Sequence, residues 1–268
     1  MPIALTIAGS DSSGGAGIQA DLKTFAAHGV YGTTAITAVT AQNTMGVTGV
    51  VSMPADFVTA QIEAITGDIM LDVVKTGMLA SSAIIDAVAA AITSLELPSV
   101  VVDPVLTSSS GQPLCDKEAI ITLISELLPR ARVLTPNIPE AARLLDRPIE
   151  SLDDARDAAR RLQAMGPTAV VLKGGHLPGD EVVDLLFDGH TLHEFRGPRI
   201  ATTSTHGTGC TFASAIAANL ALGSSLPESV RLAKAYVAGA LRHGLQIGKG
   251  PGPLNHFWQI APKVEAAR

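Results

Sequence analysis

The feature that most constrains the fold is an alternation of short apolar runs with helical patterns along the chain. The runs are continuously apolar, which is typical of parallel strands buried on both faces. Ser81, Asp116 and Ser151 are candidate N-caps, and Pro54 and Pro227 lie near helix openings. This alternation predicts an α/β fold with right-handed crossovers. The strand candidates are residues 3–8, 33–40, 73–76, 100–103, 133–135 and 169–173.

One section departs from this alternation. Residues 182–187 and 191–195 flank an Asp188-Gly189 turn, which predicts a β-hairpin. We expect the hairpin to extend the edge of a mostly parallel sheet. Because no repeat, low-complexity tract or linker interrupts the chain, we predict one domain over residues 1–268.

Composition excludes several classes of protein. The mean hydropathy is +0.32, but the longest apolar runs, 84–92 and 213–222, are shorter than the roughly 20 residues of a spanning helix. Residues 1–8 lack a basic leader, so we expect no signal peptide. With only two cysteines we expect no disulfide framework, and therefore a cytoplasmic protein. A net charge of −6 without a basic stripe, together with nine aromatic residues, argues against nucleic-acid binding.

The sharpest local signal is the sequence THGTGCT at residues 205–211, the cradle loop, which precedes a helical run. Glycines allow successive N–H groups to converge, and the following helix contributes the positive end of its dipole. Such a loop suits a phosphoryl group, although an ordinary loop-to-helix junction has the same glycines.

Cys210 lies in the first turn of that helix. There the helix dipole is expected to lower the pKa of its thiol from roughly 8.5, which would suit a general base. The alternative is a small buried apolar residue, as most lone cysteines are.

Polar and charged residues follow three of the predicted strands. Asp103 ends one strand, Asn137 and Glu140 follow the next, and Lys173 ends another, with His176 close behind. A parallel sheet gathers such groups at one edge, where Asp103 and Glu140 could hold magnesium and Lys173 could contact phosphates. The alternatives are a turn residue for Asp103, a helix-dipole partner for Glu140 and a structural histidine for His176.

A glycine-rich segment, residues 8–17 (the glycine loop), follows the first strand. It satisfies neither G-x-G-x-x-G nor the P-loop pattern, so we expect it to bring backbone close to a small ligand.

These segments together closely resemble the bacterial hydroxymethylpyrimidine/phosphomethylpyrimidine kinases of the ribokinase-like superfamily. The resemblance extends over almost the whole chain, and the N-terminal segment and the cysteine of G-T-G-C are specific to this branch. It implies a three-layer α/β/α sandwich, ATP and Mg²⁺ as cofactors, thiamin biosynthesis as the role and, commonly, a homodimer. The matching segments are AGSDSSGGAGIQADLKT (8–24), TAVTAQNTMGV (37–47), KTGML (75–79), VVDPV (101–105), TPNIPEA (135–141), LKGGH (172–176), THGTGCT (205–211) and GKGPGPLNH (248–256).

The resemblance implies a kinase that phosphorylates 4-amino-5-hydroxymethyl-2-methylpyrimidine twice, first to the monophosphate and then to the diphosphate. Cys210 would accept the proton in the first step, and Gln42 would read the pyrimidine. The other implied positions are Gly207, Thr208 and Gly209 around the transferred group, Gly9, Asp21, Met78 and Val105 around the ring, Lys173, Asn137 and Thr208 at ATP, and Asp103 and Glu140 at magnesium.

Residues 106–111 (LTSSSG) depart from the pattern expected of the family, which leaves the substrate range less secure. We expect segment 106–113 to close over the site. The rival functions are a pyridoxal kinase, since pyridoxal also carries a hydroxymethyl group, a dual-specificity kinase, and a non-catalytic pyrimidine- or nucleotide-binding protein.

Overall fold

The computed structural model describes residues 1–107 and 114–260. Within these residues nine strands form a single sheet in the order β3-β2-β1-β4-β5-β6-β7-β8-β9. The strands are β1 (Ile3–Asp11), β2 (Tyr31–Asn43), β3 (Gly46–Ser52), β4 (Val73–Thr76), β5 (Val100–Val102), β6 (Val133–Leu134), β7 (Ala169–Leu172), β8 (Glu181–Phe187) and β9 (Leu192–Pro198).

Eight α-helices of the described residues cover the two faces of this sheet. Short π and 3-10 turns follow α4 at Leu123–Leu127 and Leu128–Arg130, and another 3-10 turn, Gly174–His176, follows β7. The helices are α1 (Gly17–Ala27), α2 (Ala55–Thr66), α3 (Ser82–Ser94), α4 (Lys117–Thr122), α5 (Ile138–Leu145), α6 (Leu152–Gln163), α7 (Thr208–Ala221) and α8 (Leu226–Arg242).

The central six strands pair in parallel, and both edges of the sheet are antiparallel. The expected hairpin is confirmed as β8 and β9. Strand β3, which pairs antiparallel with β2, was not predicted. Most of its residues are exposed, and Thr48 and Gly49 interrupt its valines, so its sequence lacks the continuous apolar run of a buried strand.

Alternate strand residues enter two separate cores, one on each face of the sheet. Leu5 and Ile7 pack with helices α2 to α6, whereas Ala4 belongs to the core formed with α1, α7 and α8. The result is the expected α/β/α sandwich. The predicted caps Ser81, Asp116 and Ser151 each accept a hydrogen bond from the first helical turn.

The strand order reverses direction at β1. The chain leaves β1 through α1 to reach β2 on one side, whereas β4 and the later parallel strands lie on the other side. In open α/β sheets the crevice at such a switch point, outside the carboxyl ends of the strands, is where ligands bind. The glycine loop follows β1 directly, so the topology places it at this crevice.

A fully buried ion pair lies beneath the crevice. Lys75 Nζ, on β4, contacts both carboxylate oxygens of Asp21, on α1, over 2.9 and 3.0 Å. The same carboxylate accepts hydrogen bonds from the hydroxyls of Thr6 and Ser214, over 2.7 and 2.6 Å. Burial alone would lower the pKa of Lys75, but Asp21 outweighs it and raises that pKa. Both charges are therefore satisfied inside the protein.

Asp21, which the resemblance places around the ring, has a structural role in this fold. Its side chain has no exposed surface, and its oxygens are taken up by Lys75, Thr6 and Ser214. Asp21 therefore ties α1 to β4, β1 and α7.

We predict that Asp21→Ala lowers the free energy of unfolding by about 3–5 kcal/mol, because it leaves the Lys75 ammonium buried without its partner. Urea unfolding followed by circular dichroism measures this change. The double variant Asp21→Leu/Lys75→Met should recover most of the loss, since it removes both charges. Asp157→Ala, which removes an exposed partner of Arg147 and Arg161, is the control and should leave the midpoint nearly unchanged. Equal losses for Asp21→Ala and Asp157→Ala would contradict the prediction.

Candidate active site

Lys173 lies at the centre of a charged cluster at the carboxyl edge of the sheet. Its Nζ donates a hydrogen bond to Asp103 Oδ1 over 2.9 Å and lies 4.0 Å from Glu140 Oε2. Asp103 follows β5, Glu140 lies in the first turn of α5 after β6, and Lys173 follows β7. Because these three strands are parallel neighbours, their ends bring the three side chains together.

Burial and charge act against each other in this cluster. Burial works to lower the pKa of Lys173, but the carboxylates of Asp103 and Glu140 outweigh it and raise that pKa. Burial also raises the pKa of Glu140, and the neighbouring charge of Asp103 raises it further, while Lys173 opposes the shift. Two carboxylates thus share one ammonium group in a largely buried place, which favours the binding of a further cation.

Asn137 fixes the position of Glu140. Asn137 Oδ1 accepts from the Glu140 N–H, and Glu140 Oε2 accepts from the Asn137 N–H, each over 2.8 Å, which is a capping box. Asn137 also forms a parallel β-bridge with Lys173. The cap therefore directs the Glu140 carboxylate toward the lysine.

The cradle loop leads into α7 beside this cluster. Gly207 adopts a φ of +83°, and a Cβ there would collide with the carbonyl oxygen of Gly15, so only glycine fits. A Cβ on Gly209 would lie 3.2 Å from Lys173 Nζ, so the lysine reaches the open face of the helix N-terminus. The N–H groups of this first turn have no partner within the helix. Thr208 differs from its neighbours, because its N–H and hydroxyl both donate to the Thr205 carbonyl, over 3.3 and 2.7 Å.

The expected pKa of Cys210 is wrong in direction. Cys210 does lie in the first turn of α7, but burial raises the pKa of its thiol to about 11. The Lys75 ammonium and a hydrogen bond from the Gly17 N–H lower this pKa without overcoming burial. The thiol is therefore protonated at neutral pH, and the helix dipole alone does not make it a thiolate.

The residues expected around the ring divide into two groups. Gly9 and Met78 touch, since a Cβ on Gly9 would collide with the Met78 side chain. Val105 lies beside Asp103, with its N–H bonded to the Asp103 carbonyl over 2.9 Å. Gln42, at the end of β2, lies with its Nε2 3.5 Å from His206 Nε2. The side chain of Gln42 therefore lies next to the cradle loop, of which His206 is a part.

Two cavities flank these residues. A cavity of about 250 Å³ lies between the glycine loop and residues 245–257, and Lys23 and His256 are among its lining residues. Neither the charged cluster nor Cys210 lines it, and it reaches the cradle loop only at His206. A much smaller one, about 10 Å³, lies beside Asp103 and Val105. The larger cavity is therefore not the pocket expected around Cys210. The segment expected to close over the site, 106–113, lies mostly outside the described residues.

Sequence reasoning missed three polar residues that organise the site: Lys75, Asp11 and His206. Lys75 interrupts an apolar strand, and a lysine in a strand buried on both faces requires a buried partner. Asp11 precedes Ser-Ser-Gly, a sequence typical of side-chain-capped turns. His206 lies within the cradle loop but gives no signal of its own. Its partner Asp11 is 195 residues away in the chain.

The described residues contain no group of three or more His, Cys, Asp or Glu side chains able to hold a metal ion. No described helix combines the length and the apolar character needed to cross a membrane.

Comparison with known sequences identifies the family. The family model described as phosphomethylpyrimidine kinase matches residues 11–255. The hydroxymethylpyrimidine/phosphomethylpyrimidine kinase of Synechococcus elongatus is 51% identical over 261 residues, which cover 97% of this chain and 99% of that protein. The thiamine biosynthesis bifunctional protein ThiED of Geobacter sulfurreducens is 52% identical over 94% of this chain, which spans about half (52%) of that longer protein.

Solved structures confirm the fold. Phosphomethylpyrimidine kinase from Clostridium difficile superposes with a TM-score of 0.80 at 43% identity, covering 89% of this chain and 98% of that one. An ADP complex of Bacillus subtilis pyridoxal kinase gives a TM-score of 0.89 at 39% identity, covering 96% and 98%. The fold is thus the expected ribokinase-like sandwich, and the chain belongs to the phosphomethylpyrimidine kinase family.

Proposed function

We propose that this protein uses ATP to phosphorylate 4-amino-5-hydroxymethyl-2-methylpyrimidine to its monophosphate and then to its diphosphate, in thiamin biosynthesis. The observation that carries the proposal is the meeting of Lys173 with Asp103, Glu140 and the N-terminus of α7. A cation, an acid pair and free helix N–H groups at one point are what phosphoryl transfer requires. Family membership supports the same assignment.

Magnesium fits the two carboxylates. Mg²⁺ bound with a nucleotide usually keeps several waters and takes one or two carboxylates, which matches Asp103 and Glu140. The raised pKa of Glu140, which reflects burial and the charge of Asp103, would return toward its ordinary value beside a divalent cation. When bound, the metal would offset negative charge on the phosphates.

The donor nucleotide would place its phosphates between Lys173 and the cradle loop. Gly209 leaves that approach open, because any side chain there would press against Lys173 Nζ. We expect the N–H groups of Gly209 and Cys210 to contribute most, since Thr208 already donates to Thr205. The ADP complex of the pyridoxal kinase of the same fold supports an adenine nucleotide as the donor.

The acceptor pyrimidine would lie between Gln42 and the Gly9–Met78 contact, with Val105 nearby. An amide suits an aminopyrimidine, because its carbonyl accepts from the exocyclic amine while its NH₂ donates to a ring nitrogen. In the first step the substrate hydroxyl oxygen would attack the γ-phosphorus, ADP would leave, and the hydroxyl proton would pass to the thiolate form of Cys210, a small fraction at neutral pH because the pKa of the thiol is about 11. In the second step the nucleophile is an anionic phosphate, which has no such need of a base.

Pyridoxal is the second candidate substrate, because a pyridoxal kinase shares this fold with a TM-score of 0.89 at 39% identity. Purified protein with magnesium and ATP should release ADP with hydroxymethylpyrimidine and with its monophosphate, assayed separately. Pyridoxal, ribose and adenosine complete the panel. Turnover of pyridoxal alone would replace the proposed substrate, and absence of any turnover would favour a binding protein.

We predict that Cys210→Ala slows the first phosphorylation far more than the second, because only the first nucleophile must lose a proton from a hydroxyl. Since the pKa of Cys210 is about 11, the first-step kcat/KM of the wild-type protein should rise by about tenfold per pH unit between pH 7 and 9. The alanine variant should lose this dependence. Equal losses in both steps, or an unchanged pH profile, would leave Cys210 as a packing residue.

We also propose a cytoplasmic homodimer that binds neither nucleic acid nor membrane. The exposed valines Val39 and Val51, which lie opposite each other on β2 and β3, support a dimer, because a second copy could cover them. Free thiols at Cys115 and Cys210 suit a reducing compartment. Light scattering should give twice the 27.5 kDa chain mass, and Val51→Lys should reduce that mass. A wild-type monomer would contradict the proposal.

A further inference from the structure

Asp11, at the end of β1, is the acceptor for five hydrogen bonds. Its Oδ1 accepts from the N–H and the hydroxyl of Ser13, each over 2.8 Å. Its Oδ2 accepts from the N–H groups of Gly15 and Ala16 over 3.1 and 2.8 Å, and from His206 Nε2 over 2.8 Å. The carboxylate is almost completely buried, so it links the glycine loop to the cradle loop out of contact with water.

The charge of Asp11 fixes where one histidine proton lies. Burial alone would raise the pKa of Asp11, but the hydrogen bonds from His206 and Ser13 outweigh it and hold that pKa well below the ordinary range. An ionised carboxylate only accepts hydrogen bonds. His206 Nε2 must therefore carry a hydrogen, whether the ring is neutral or charged, and that nitrogen cannot accept one.

This proton distinguishes the two ends of the Gln42 amide. The amide extends from Thr40 Oγ1, 3.2 Å from Gln42 Oε1, to His206 Nε2, 3.5 Å from Gln42 Nε2. Two N–H donors would face each other at His206, and amide ends are told apart only by such hydrogen bonds. A half-turn of the amide removes this donor–donor contact and brings its carbonyl oxygen to the His206 N–H as a second, more distant acceptor, since the same hydrogen bonds to Asp11 over 2.8 Å.

Thr40 favours the same half-turn. Its hydroxyl lies 3.0 Å from the Ser10 carbonyl, which can only accept, so the single hydroxyl hydrogen is needed there. The Thr40 oxygen can then accept from the Gln42 NH₂ group. Both neighbours thus select one orientation, with the Gln42 carbonyl toward the cradle loop and its NH₂ toward Thr40.

We propose that Asp11 and His206 are positioning residues, which hold the Gln42 amide in this one orientation and thereby determine which heteroaromatic edge the site accepts. The inference rests on the proposed function, in which Gln42 contacts the pyrimidine. A ring with an exocyclic amine beside a ring nitrogen matches the fixed order of acceptor and donor. A ring whose donor and acceptor are in the reversed order would face donor with donor and acceptor with acceptor at the Gln42 amide, so the site would bind it weakly.

The test compares His206→Gln with His206→Asn. A glutamine amide reaches the position of Nε2 and can still donate to Asp11, whereas the shorter asparagine amide cannot. We expect His206→Asn to raise the KM for hydroxymethylpyrimidine by roughly tenfold, the loss of one oriented hydrogen bond, with the KM for ATP unchanged. His206→Gln should stay within about threefold of wild type on the same scale.

Two further variants keep the test decisive if His206→Asn folds poorly. Thr40→Val removes the acceptor for the Gln42 NH₂ and should also raise the pyrimidine KM alone. In a Gln42→Ala background, His206→Asn should have no further effect on that KM, because it acts through the amide. His193→Asn, in the partly exposed His193–Asp188 pair at the far edge of the sheet, is the matched control and should leave both KM values unchanged.

Each outcome separates the inference from the function on which it rests. Wild-type protein that does not phosphorylate the pyrimidine would refute the proposed function. Wild-type activity combined with equal KM values for His206→Gln and His206→Asn, or with parallel changes in the KM for ATP, would overturn the positioning role alone. An unchanged pyrimidine KM in Thr40→Val would overturn it as well.

Discussion

The buried ion pair between Lys75 and Asp21 connects the elements from which the site is built. It joins β4 to α1, and through Thr6 and Ser214 it reaches β1 and α7, whose N-terminus faces the crevice. A charge pair without solvent contact has to be complete, because loss of either partner leaves an uncompensated charge in the core. The same ammonium lowers the pKa of the Cys210 thiol above it. The ion pair therefore both holds the elements beneath the crevice together and changes the pKa of a thiol beside it.

At the carboxyl ends of β5, β6 and β7, the fold holds two carboxylates that repel each other close together. Asp103 and Glu140 share Lys173, and the capping box at α5 fixes Glu140 in that place. Such an arrangement has an electrostatic cost, because two carboxylates lie close together beside one ammonium group. The raised pKa of Glu140 is a direct sign of that cost. The proposed metal nucleotide would relieve this repulsion.

The fold was predictable where the pattern of burial is local. Runs buried on both faces located β1, β4 and β7 to within a few residues, whereas the exposed, glycine-interrupted β3 gave no such pattern. Which residues meet at the carboxyl edge also followed from strand order. Properties that depend on distant contacts did not: no local pattern shows that Asp21 pairs with Lys75, and burial reverses the expected pKa shift of Cys210. The Asp11–His206 contact joins opposite ends of the chain, so no local pattern reveals it.

The proposed function requires this one protein to carry out both phosphoryl transfers. Phosphorus-31 NMR of a reaction that starts from hydroxymethylpyrimidine, magnesium ATP and this protein alone follows both transfers directly. A monophosphate resonance should appear first and then give way to a diphosphate, with two ADP formed for each pyrimidine consumed. Accumulation of the monophosphate without any diphosphate in excess ATP, or an unchanged ATP spectrum, would contradict the claim.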